Sequence, residues 1–353
     1  MAVKIYAGSV KDIWQTVPAT EKRFGQGYMR YEGDPFSVFD YGEMPWQIEG
    51  KGEILCKESG VFFNVLEDAG IPTHFREDRN TREIGIHLAR MLDYDKIVPG
   101  ETIIYRIPIE CVFTKVVTPV SSLHGRLRSG RANLEDYGLD HVPERDEVIV
   151  LPDIRTSYST KIETTDVYKS LEEMTELAGL VGNEAERLDQ LTRACAEALI
   201  ADATKIGLFL ADGKFEFIMG PGRNLIVGDT GYTWDENRFL YHLPDESYVD
   251  MSKQLPRNIY TIMGWRDELK AAQKQYPNDK AQWPAPPEIG DELRELCTMA
   301  CMTTGRAITE GPPFVQHISS YELEATALAA KKALEDLKSR YGRDETGKPI
   351  YSI

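Results

Sequence analysis

The sequence predicts an α+β protein in which a small antiparallel sheet comes first, a mixed region follows and helices come last. Residues 1–55 alternate short β-like runs with Gly, Pro and Asp, which is typical of strands joined by tight turns. Residues 183–205 place apolar side chains at three- and four-residue spacing, and residues 320–341 are rich in Ala, Leu, Lys and Glu, as helices are. A chain of 353 residues is long enough for two or three lobes.

The first part of the chain yields short elements. VKIYAG, GYMRYEG and FSVFDYG are the predicted strands of the first sheet. A helix is predicted over 57–69, because its apolar side chains share one face and Gly70 follows as a stop signal. Strands are expected at about 84–92 and 102–113. The charged stretch 121–148 is broken by Gly and Pro, so it predicts loops with one short helix.

The second part begins with a helix over 183–205, for which Asn183 is the expected cap. Two strands at 206–218 and 225–229 form a predicted hairpin. Four prolines in 276–290 indicate a linker or surface excursion, and helices at about 290–309 and 320–341 complete the chain.

These elements suggest three regions. We expect a β-rich lobe over 1–110 with a phosphate loop, an α/β lobe over 111–265 with a metal and substrate site, and a helical region over 266–353.

The charge balance limits the partners of this protein. It has 41 basic and 57 acidic residues, a formal net charge of -16. A surface this negative repels a phosphate backbone, so nucleic-acid binding is not expected. An anionic small molecule could still bind where Lys and Arg are concentrated or metal ions are recruited.

Composition also predicts a compartment. No apolar run approaches the roughly 18 residues that a membrane span requires, and the start of the chain lacks the apolar segment of a secretory signal. Five widely spread cysteines are typical of reduced thiols in the cytoplasm. Cys297 and Cys301, four residues apart, indicate helix packing rather than a metal site.

The predicted hairpin between 206 and 229 has the densest set of charged residues. Asp212, Lys214 and Glu216 alternate in ADGKFEF, so their side chains point to one face of a strand. Asp229 ends the next strand. Carboxylates and an ammonium on one face can bind Mg²⁺ together with nucleotide phosphates. The alternative is a solvated strand face with salt bridges, and the pattern alone leaves both open.

Three further patterns are weak when taken singly. Gly8 and Lys11 lie between predicted strands and could cover phosphates with backbone N–H groups and an ammonium, although ordinary hairpins look similar. Lys161 follows Ser and Thr in a polar loop of a common kind. Arg238 follows the hairpin closely and could bind an anion bidentately.

In combination and in this order, the patterns resemble the SAICAR synthetase family. The resemblance rests on YAGSVKDIW, on SVFDYGEMPWQIEGKGEIL with VFFNVLEDAGIPTHF, on PIECV, on STKIE, and on GLFLADGKFEF with VGDTGYTWDENRF and SKQLPR. It covers roughly residues 1–260. AGIPTHF, PIECV and the D-x-K-x-E hairpin are specific in combination.

The resemblance implies a reaction and a fold. The family joins the carboxylate of carboxyaminoimidazole ribonucleotide (CAIR) to the amine of L-aspartate in purine biosynthesis. ATP phosphorylates the carboxylate to an acyl phosphate, and Mg²⁺ spreads the transferred charge. The implied fold is a pair of lobes related to kinases or ATP-grasp proteins, with the added helical C-terminal region.

The resemblance also implies site residues, with the adenine side near Ile107–Glu110. The residues implied for ATP binding are Gly8, Ser9, Lys11, Glu110 and Lys214, and those implied for Mg²⁺ are Glu216 and Asp229. The implied catalytic residues are Lys214, Asp212 and Lys161. The implied substrate-binding residues are Ser37, Asp40, Lys51, Ser122, Asp166 and Arg238.

Several positions depart from the family pattern. Ser9 stands where the family has Lys, and Thr114 where it has Arg. Ser121-Ser122, Thr165-Asp166 and Asp229-Thr230 replace Gly-Ser, His-Asp and Asp-Glu. Most departures fall on the substrate side, so the nucleotide side matches the pattern better.

Three interpretations remain open. The protein is a divergent SAICAR synthetase whose missing charges come from elsewhere, with Lys115, Arg126 and Arg128 as candidates. Alternatively it is a paralogous ATP-dependent ligase for a different carboxylate or amine, or a nucleotide-binding protein without catalysis. The expected partners are ATP, an anionic imidazole nucleotide and an amino acid, with no nucleic acid or membrane. The C-terminal helices are compatible with self-association.

Overall fold

Two antiparallel sheets organise the chain. The computed structural model describes residues 2–8, 10–144, 147–162, 167–277, 279–312 and 320–341. The first sheet has five strands in the order β1-β2-β3-β5-β4. They are β1 (Val3–Ala7), β2 (Asp12–Val17), β3 (Gly25–Arg30), β4 (Phe75–Asn80) and β5 (Glu83–Leu88).

The second sheet is larger and holds the charged hairpin. Its seven strands are β6 (Tyr105–Val117), β7 (Ile149–Thr160), β8 (Tyr168–Lys169), β9 (Phe209–Met219), β10 (Leu225–Gly228), β11 (Arg238–His242) and β12 (Tyr248–Asp250). The order is β12-β11-β9-β6-β7-β8, and β10 pairs with β9. One edge of β9 therefore pairs with β6, while β10 and β11 share the other.

Helices pack against these sheets and against one another. They are α1 (Lys51–Asp68), α2 (Ser122–Arg128), α3 (Leu171–Ala178), α4 (Glu184–Lys205), α5 (Gln254–Ile262), α6 (Trp265–Gln275), α7 (Asp291–Glu310) and α8 (Ser320–Tyr341). Helix α4 packs on β6, β7 and β9, and α1 packs on α4 and α7. One large core of buried apolar side chains runs through both sheets and reaches α7 and α8.

Most predicted elements are present. The expected hairpin corresponds to β9 and β10, and the last two predicted helices correspond to α7 and α8. The stretch 121–148 has one short helix and a 3₁₀ turn in its described part. Asn183 does occupy the cap position of α4, but its side chain makes no capping hydrogen bond. The described part of 276–290 contains one 3₁₀ turn and otherwise irregular backbone.

One predicted strand is wrong. FSVFDYG forms a loop, in which Phe39 and Asp40 adopt left-handed backbone conformations (φ 55° and 58°) that a strand does not allow. Phe36 is fully buried because its ring packs edge-on against Trp46, with centroids 4.4 Å apart. Alternation of apolar residues here reflects tertiary packing and not pleating.

Helix α1 begins six residues before its predicted start at 57 because a distant carboxylate caps it. Asp34 accepts hydrogen bonds from the backbone N–H groups of Gly50 and Gly52, both at 3.0 Å. A capping carboxylate near a helix N-terminus satisfies free N–H groups and favours the helix dipole. Because Asp34 is remote in sequence, a local pattern could not show this start.

Residues 72–74 join the two sheets. The N–H of Val227 on β10 donates to the carbonyl of Pro72, and the N–H of His74 donates back to Val227, both at 2.9 Å. The carbonyl of His74 accepts from His87 on β5 at 2.7 Å. This backbone junction holds the first sheet beside the end of β10, where Asp229 follows.

Two further expectations concern the state of the cysteines and the presence of membrane spans. All five cysteines are free and buried, and Cys297 and Cys301 lie in the core on α7. Within the described ranges, we find no helix with the length and apolarity needed to cross a membrane.

Candidate active site

A cavity of about 850 Å³ lies between the two sheets, and we call it the large cavity. It is apolar toward the first sheet, where Ile13, Met29 and Ile86 line it. Its charged groups come mainly from the second sheet and from the turn between β1 and β2. They are Lys11, Arg90, Arg106, Lys161, Lys214, Glu216, Asp229 and Glu236.

The predicted hairpin supplies three of these charged groups. Lys214 and Glu216 lie on one face of β9, and Gly228 of β10 is opposite Glu216. Asp229 therefore follows directly beside the glutamate, in a left-handed conformation (φ 59°). The alternation along the strand and the short turn thus place a lysine and two carboxylates on one wall of the cavity.

Glu110 and Glu216 are opposite each other on β6 and β9, and lysines hold them together. The ammonium of Lys161 contacts both carboxylates and lies 2.7 Å from Glu216 Oε1. Lys214 Nζ lies 2.9 Å from Glu110 Oε1. Burial opposes the charged form of Glu110, but Lys214 and Lys161 outweigh it and lower the pKa of this carboxyl.

The same network raises the pKa of both lysines. For Lys214, burial is outweighed by the carboxylates of Glu236 and Glu110, and for Lys161 it is outweighed chiefly by Glu216. Glu110 does not line the large cavity. It stands behind the two lysines and positions their charges.

The turn between β1 and β2 brings Lys11 to the other carboxylate. Lys11 Nζ lies 3.0 Å from Asp229 Oδ1. Burial disfavours an ionised Asp229, yet Lys11 outweighs burial and holds the pKa of this carboxyl well below its usual range. Gly8 lines the same wall. A Cβ there would lie 2.5 Å from the carbonyl oxygen of Lys11, so the tight turn requires glycine.

A smaller cavity of about 280 Å³ adjoins the large one, and we call it the small cavity. Val10, Lys214 and Glu236 line both. The remaining charged groups of the small cavity are Asp212, Asp235, Arg238, Lys253 and Arg257. Arg238 forms an ion pair with Asp212.

Arg257 and Lys253 give the small cavity its basic character. Within the described ranges, no carboxylate lies at ion-pair distance from Arg257, and burial together with Arg238 lowers its pKa. Lys253 Nζ lies 3.0 Å from Asp235 Oδ2, yet burial keeps its pKa lowered. Crowded cations without enough carboxylates form a site for an anion.

Lys51, predicted to bind substrate, is instead a buried support. Its side chain is 1% exposed, and its ammonium contacts the carbonyl of Pro35 at 2.8 Å and Asp235 at 3.2 Å. Lys51 lines neither cavity. It holds Asp235, which in turn orients Lys253.

Other predicted residues lie apart from the cavities. Ser37 and Asp40 are on the loop before α1, where the charge of Asp40 acts on Arg257. Ser122 is exposed at the start of α2, where Ser121 is the capping residue. Ser9 and Asp166 lie outside the described residues, so their predicted roles are not placed.

The cations suggested as replacements for the missing Arg face elsewhere. Lys115 Nζ binds the backbone carbonyls of Leu151 and Pro152, at 2.8 and 3.1 Å. Arg126 is buried and stacks over Tyr168. Arg128 is exposed at the end of α2. None of the three lines either cavity.

The segment predicted for the adenine side does not line the large cavity with its isoleucines, because Ile107 and Ile109 are buried in the core. Leu88, the last residue of β5, and residues 89–92 do line this cavity. The sequence likewise did not single out Arg106, Lys253 or Arg257. Arg106 could have been found from its strand, because it lies on β6 together with the predicted Glu110.

The carboxylates fit a magnesium ion shared with phosphates. Mg²⁺ is commonly bound by one or two carboxylates, with substrate phosphates and waters completing an octahedron. Asp229 is held ionised by Lys11, and Glu216 lines the same cavity. No group of three or more His, Cys, Asp or Glu side chains among the described residues forms a metal cage.

The fold places paired carboxylates and lysines on the wall of a large cavity, an arrangement typical of enzymes that transfer phosphoryl groups. A family model described as SAICAR synthetase matches residues 4–272. The chain belongs to the SAICAR synthetase family. It is accordingly an ATP-dependent ligase of purine biosynthesis that joins CAIR to L-aspartate.

Individual relatives agree with this membership. The chain is 31% identical over 300 residues to the phosphoribosylaminoimidazole-succinocarboxamide synthase of Thermoplasma acidophilum, covering 83% of this chain and 96% of the relative. It is 33% identical over 337 residues to an Archaeoglobus fulgidus protein provisionally given the same activity, covering 88% and 98%.

Solved structures agree on the fold. The Saccharomyces cerevisiae SAICAR synthase complexed with SAICAR matches with a TM-score of 0.61 at 19% identity, over 88% of this chain and 95% of that one. A SAICAR synthetase in complex with ADP matches with a TM-score of 0.53 at 22% identity, over 71% and 89%.

Proposed function

We propose that ATP occupies the large cavity and CAIR the small cavity, and that the protein joins CAIR to L-aspartate where the two meet. The observation that carries this proposal is the position of Lys214, whose side chain lines both cavities. A phosphoryl group passing from a nucleotide in one to a carboxylate in the other must cross beside this ammonium. Charge neutralisation at that point is the main contribution that a protein makes to phosphoryl transfer.

The reaction proceeds in two displacements. An oxygen of the CAIR carboxylate attacks the γ-phosphorus of ATP, the bond to the bridging oxygen breaks, and ADP leaves. The acyl phosphate that forms is attacked at carbon by the aspartate amine. Phosphate departs with the electrons of the C–O bond and the amine loses a proton, which leaves an amide.

The phosphates of ATP lie at Gly8 and Lys11, and we assign Ser9 to the same phosphates as the sequence predicts. Glu216 and Asp229 would hold Mg²⁺, which when bound spreads the charge of the transferred group. The adenine lies against residues 88–92 and the apolar side chains of the first sheet. Lys161, anchored by two glutamates, faces the reacting carboxylate or the incoming aspartate, and Asp166 is assigned to the same amino acid.

The small cavity suits a phosphorylated imidazole nucleotide. We assign its phosphate to Arg257, Arg238 and Lys253, because all three line this cavity and, within the described ranges, Arg257 has no carboxylate at ion-pair distance. Asp212 faces the imidazole side. Ser37, Asp40 and Ser122 line neither cavity, and we keep them as predicted substrate contacts from the loop before α1 and the start of α2. Glu110 and Lys51 act by positioning lysines.

The wider assignment follows from this arrangement. The first sheet acts as a lid lobe over the nucleotide, as in kinases and ATP-grasp proteins, and the second sheet is the floor. This corresponds to regions 1–110 and 111–265, with β6 running across their boundary. Residues 266–353 are an addition to the family core and offer surfaces for self-association. We place the protein in the cytoplasm, with small-molecule partners and no nucleic acid.

The test is ADP release with Mg-ATP and CAIR, with and without L-aspartate, and with products identified by mass. We expect ADP formation that requires both substrates, together with the succinocarboxamide product. ATP binding without this product would contradict the assignment and favour a paralogous ligase. Lys214→Met should abolish product while leaving the fold intact, as checked by thermal unfolding.

A further inference from the structure

The side chain of Arg106 belongs to the charged wall of the large cavity. Arg106 is opposite Ile218 on the neighbouring strand, so its side chain lies on the same face as Ile218 and Glu216. Its Nε lies 2.8 Å from Glu216 Oε2, and its side chain is 26% exposed. The backbone N–H of Arg106 donates to the carbonyl of Arg90. This bond fixes the strand beside residues 88–92, the segment that we assign to the adenine.

Arg106 and Lys11 have matching positions. Each pairs with one of the two carboxylates assigned to the metal: Lys11 with Asp229 at 3.0 Å and Arg106 with Glu216. The charge of Arg106 also acts on Asp229. A carboxylate that ligates a cation no longer needs its guanidinium or ammonium partner, and these partners are then the nearest positive groups for phosphate oxygens.

The guanidinium has unused binding capacity. Within the described part of the chain its one ion partner is Glu216, which it meets through Nε. Its two terminal NH₂ groups can thus bind two phosphate oxygens side by side, a geometry that arginine provides and lysine does not. Arg90 lines the same cavity, but its guanidinium is already bound to the carbonyls of Ile103 and Ile104.

We propose that Arg106 binds the phosphate chain of the nucleotide, in addition to Lys11 and Lys214. The inference rests on the proposed function, because it assumes a nucleoside polyphosphate in the large cavity. It adds a phosphate-binding residue that none of the sequence patterns indicated.

The experiment is equilibrium binding of ATP, ADP and adenosine to the full chain, in EDTA and without CAIR or aspartate. We expect Arg106→Gln to weaken ATP and ADP binding about tenfold or more and to leave adenosine binding unchanged. Arg106→Lys should lose less affinity for ATP and ADP than Arg106→Gln does. Arg79→Gln is the control, since Arg79 pairs with Glu83 on the first sheet outside both cavities.

Two results would overturn the proposal. Equal weakening of all three ligands would make Arg106 a structural residue, and unchanged ATP affinity would limit it to holding Glu216. Glu216→Gln gives a second measure, because freeing the guanidinium should strengthen metal-free ATP binding. These binding measurements need no product, so their outcome is independent of the outcome of the ligase assay.

Discussion

Glu110 and Glu216 occupy opposite positions on neighbouring strands, with the ammonium of Lys161 between their buried carboxylates. Two like charges directly opposite on a sheet repel each other, and burial strengthens the repulsion. The pair is therefore stable only because lysines accompany it. This arrangement joins three distant segments of the chain at the point where the proposed reaction takes place.

Removing the central ammonium should destabilise the protein. We expect Lys161→Met to lower the free energy of unfolding by about 1–3 kcal/mol, the usual cost of a buried charge without its partner. Chemical denaturation at pH 7 measures this. The double variant Lys161→Met with Glu110→Gln should recover much of the loss. No recovery would show that repulsion between the glutamates is not the cause.

The two carboxylates assigned to the metal should be indispensable for turnover. Glu216→Gln and Asp229→Asn keep the shape of each side chain but remove the charge that a divalent cation requires. ADP release at saturating Mg-ATP should fall by on the order of 10²-fold or more in each. Glu32→Gln, an exposed glutamate outside both cavities, is the control. Turnover that survives both changes would refute the metal assignment.

Arg257 should affect the imidazole substrate and not the nucleotide. It lines the small cavity but not the large one. We expect Arg257→Met to raise KM for CAIR on the order of 10- to 100-fold, since a charged hydrogen bond is lost, with ATP binding unchanged. Steady-state kinetics with each substrate varied in turn separate the two. A matching loss of ATP affinity would contradict the division into two cavities.

Asp250 should make stability depend on pH in the mildly acidic range. Burial raises the pKa of this carboxyl to about 6, whereas an aspartate in the unfolded chain titrates near 4. Between these values the folded state binds more protons, so the free energy of unfolding falls as pH rises from about 4 to 6 and is level above.

Asp250→Asn should remove this decrease in the free energy of unfolding. We expect the decrease to be on the order of 1–2 kcal/mol after allowance for partial exposure. Urea denaturation at several pH values measures it. Asp153→Asn, an exposed aspartate on β7, should keep the dependence of the unmodified protein. An unchanged slope in Asp250→Asn would assign the effect to another group.

Much of the hairpin site could be predicted because it is local. A strand places alternate side chains on one face, so ADGKFEF aligns Lys214 with Glu216 whatever surrounds it. A short turn then brings Asp229 beside them. The long helices could be predicted for the same reason, since their apolar spacing repeats within a few residues.

The substrate side and the supporting charges could not be predicted in this way. Lys51 looks like an exposed lysine between two glycines, yet it is buried against Asp235 because a distant loop supplies its partners. Arg106 and Arg257 resemble ordinary basic residues until the strands and α5 bring them to cavity walls. Their roles depend on which carboxylates lie near them in space.

The sequence by itself determined the α+β class, the main helices and the charged face of the hairpin, because each follows from the period of a strand or helix. Tertiary structure alone decided that the two sheets meet at His74, that Lys161 lies between two opposed glutamates and that Lys214 lines both cavities. These features join residues far apart in the chain. Their energies depend on burial and on charge separation, which become defined only when the chain is folded.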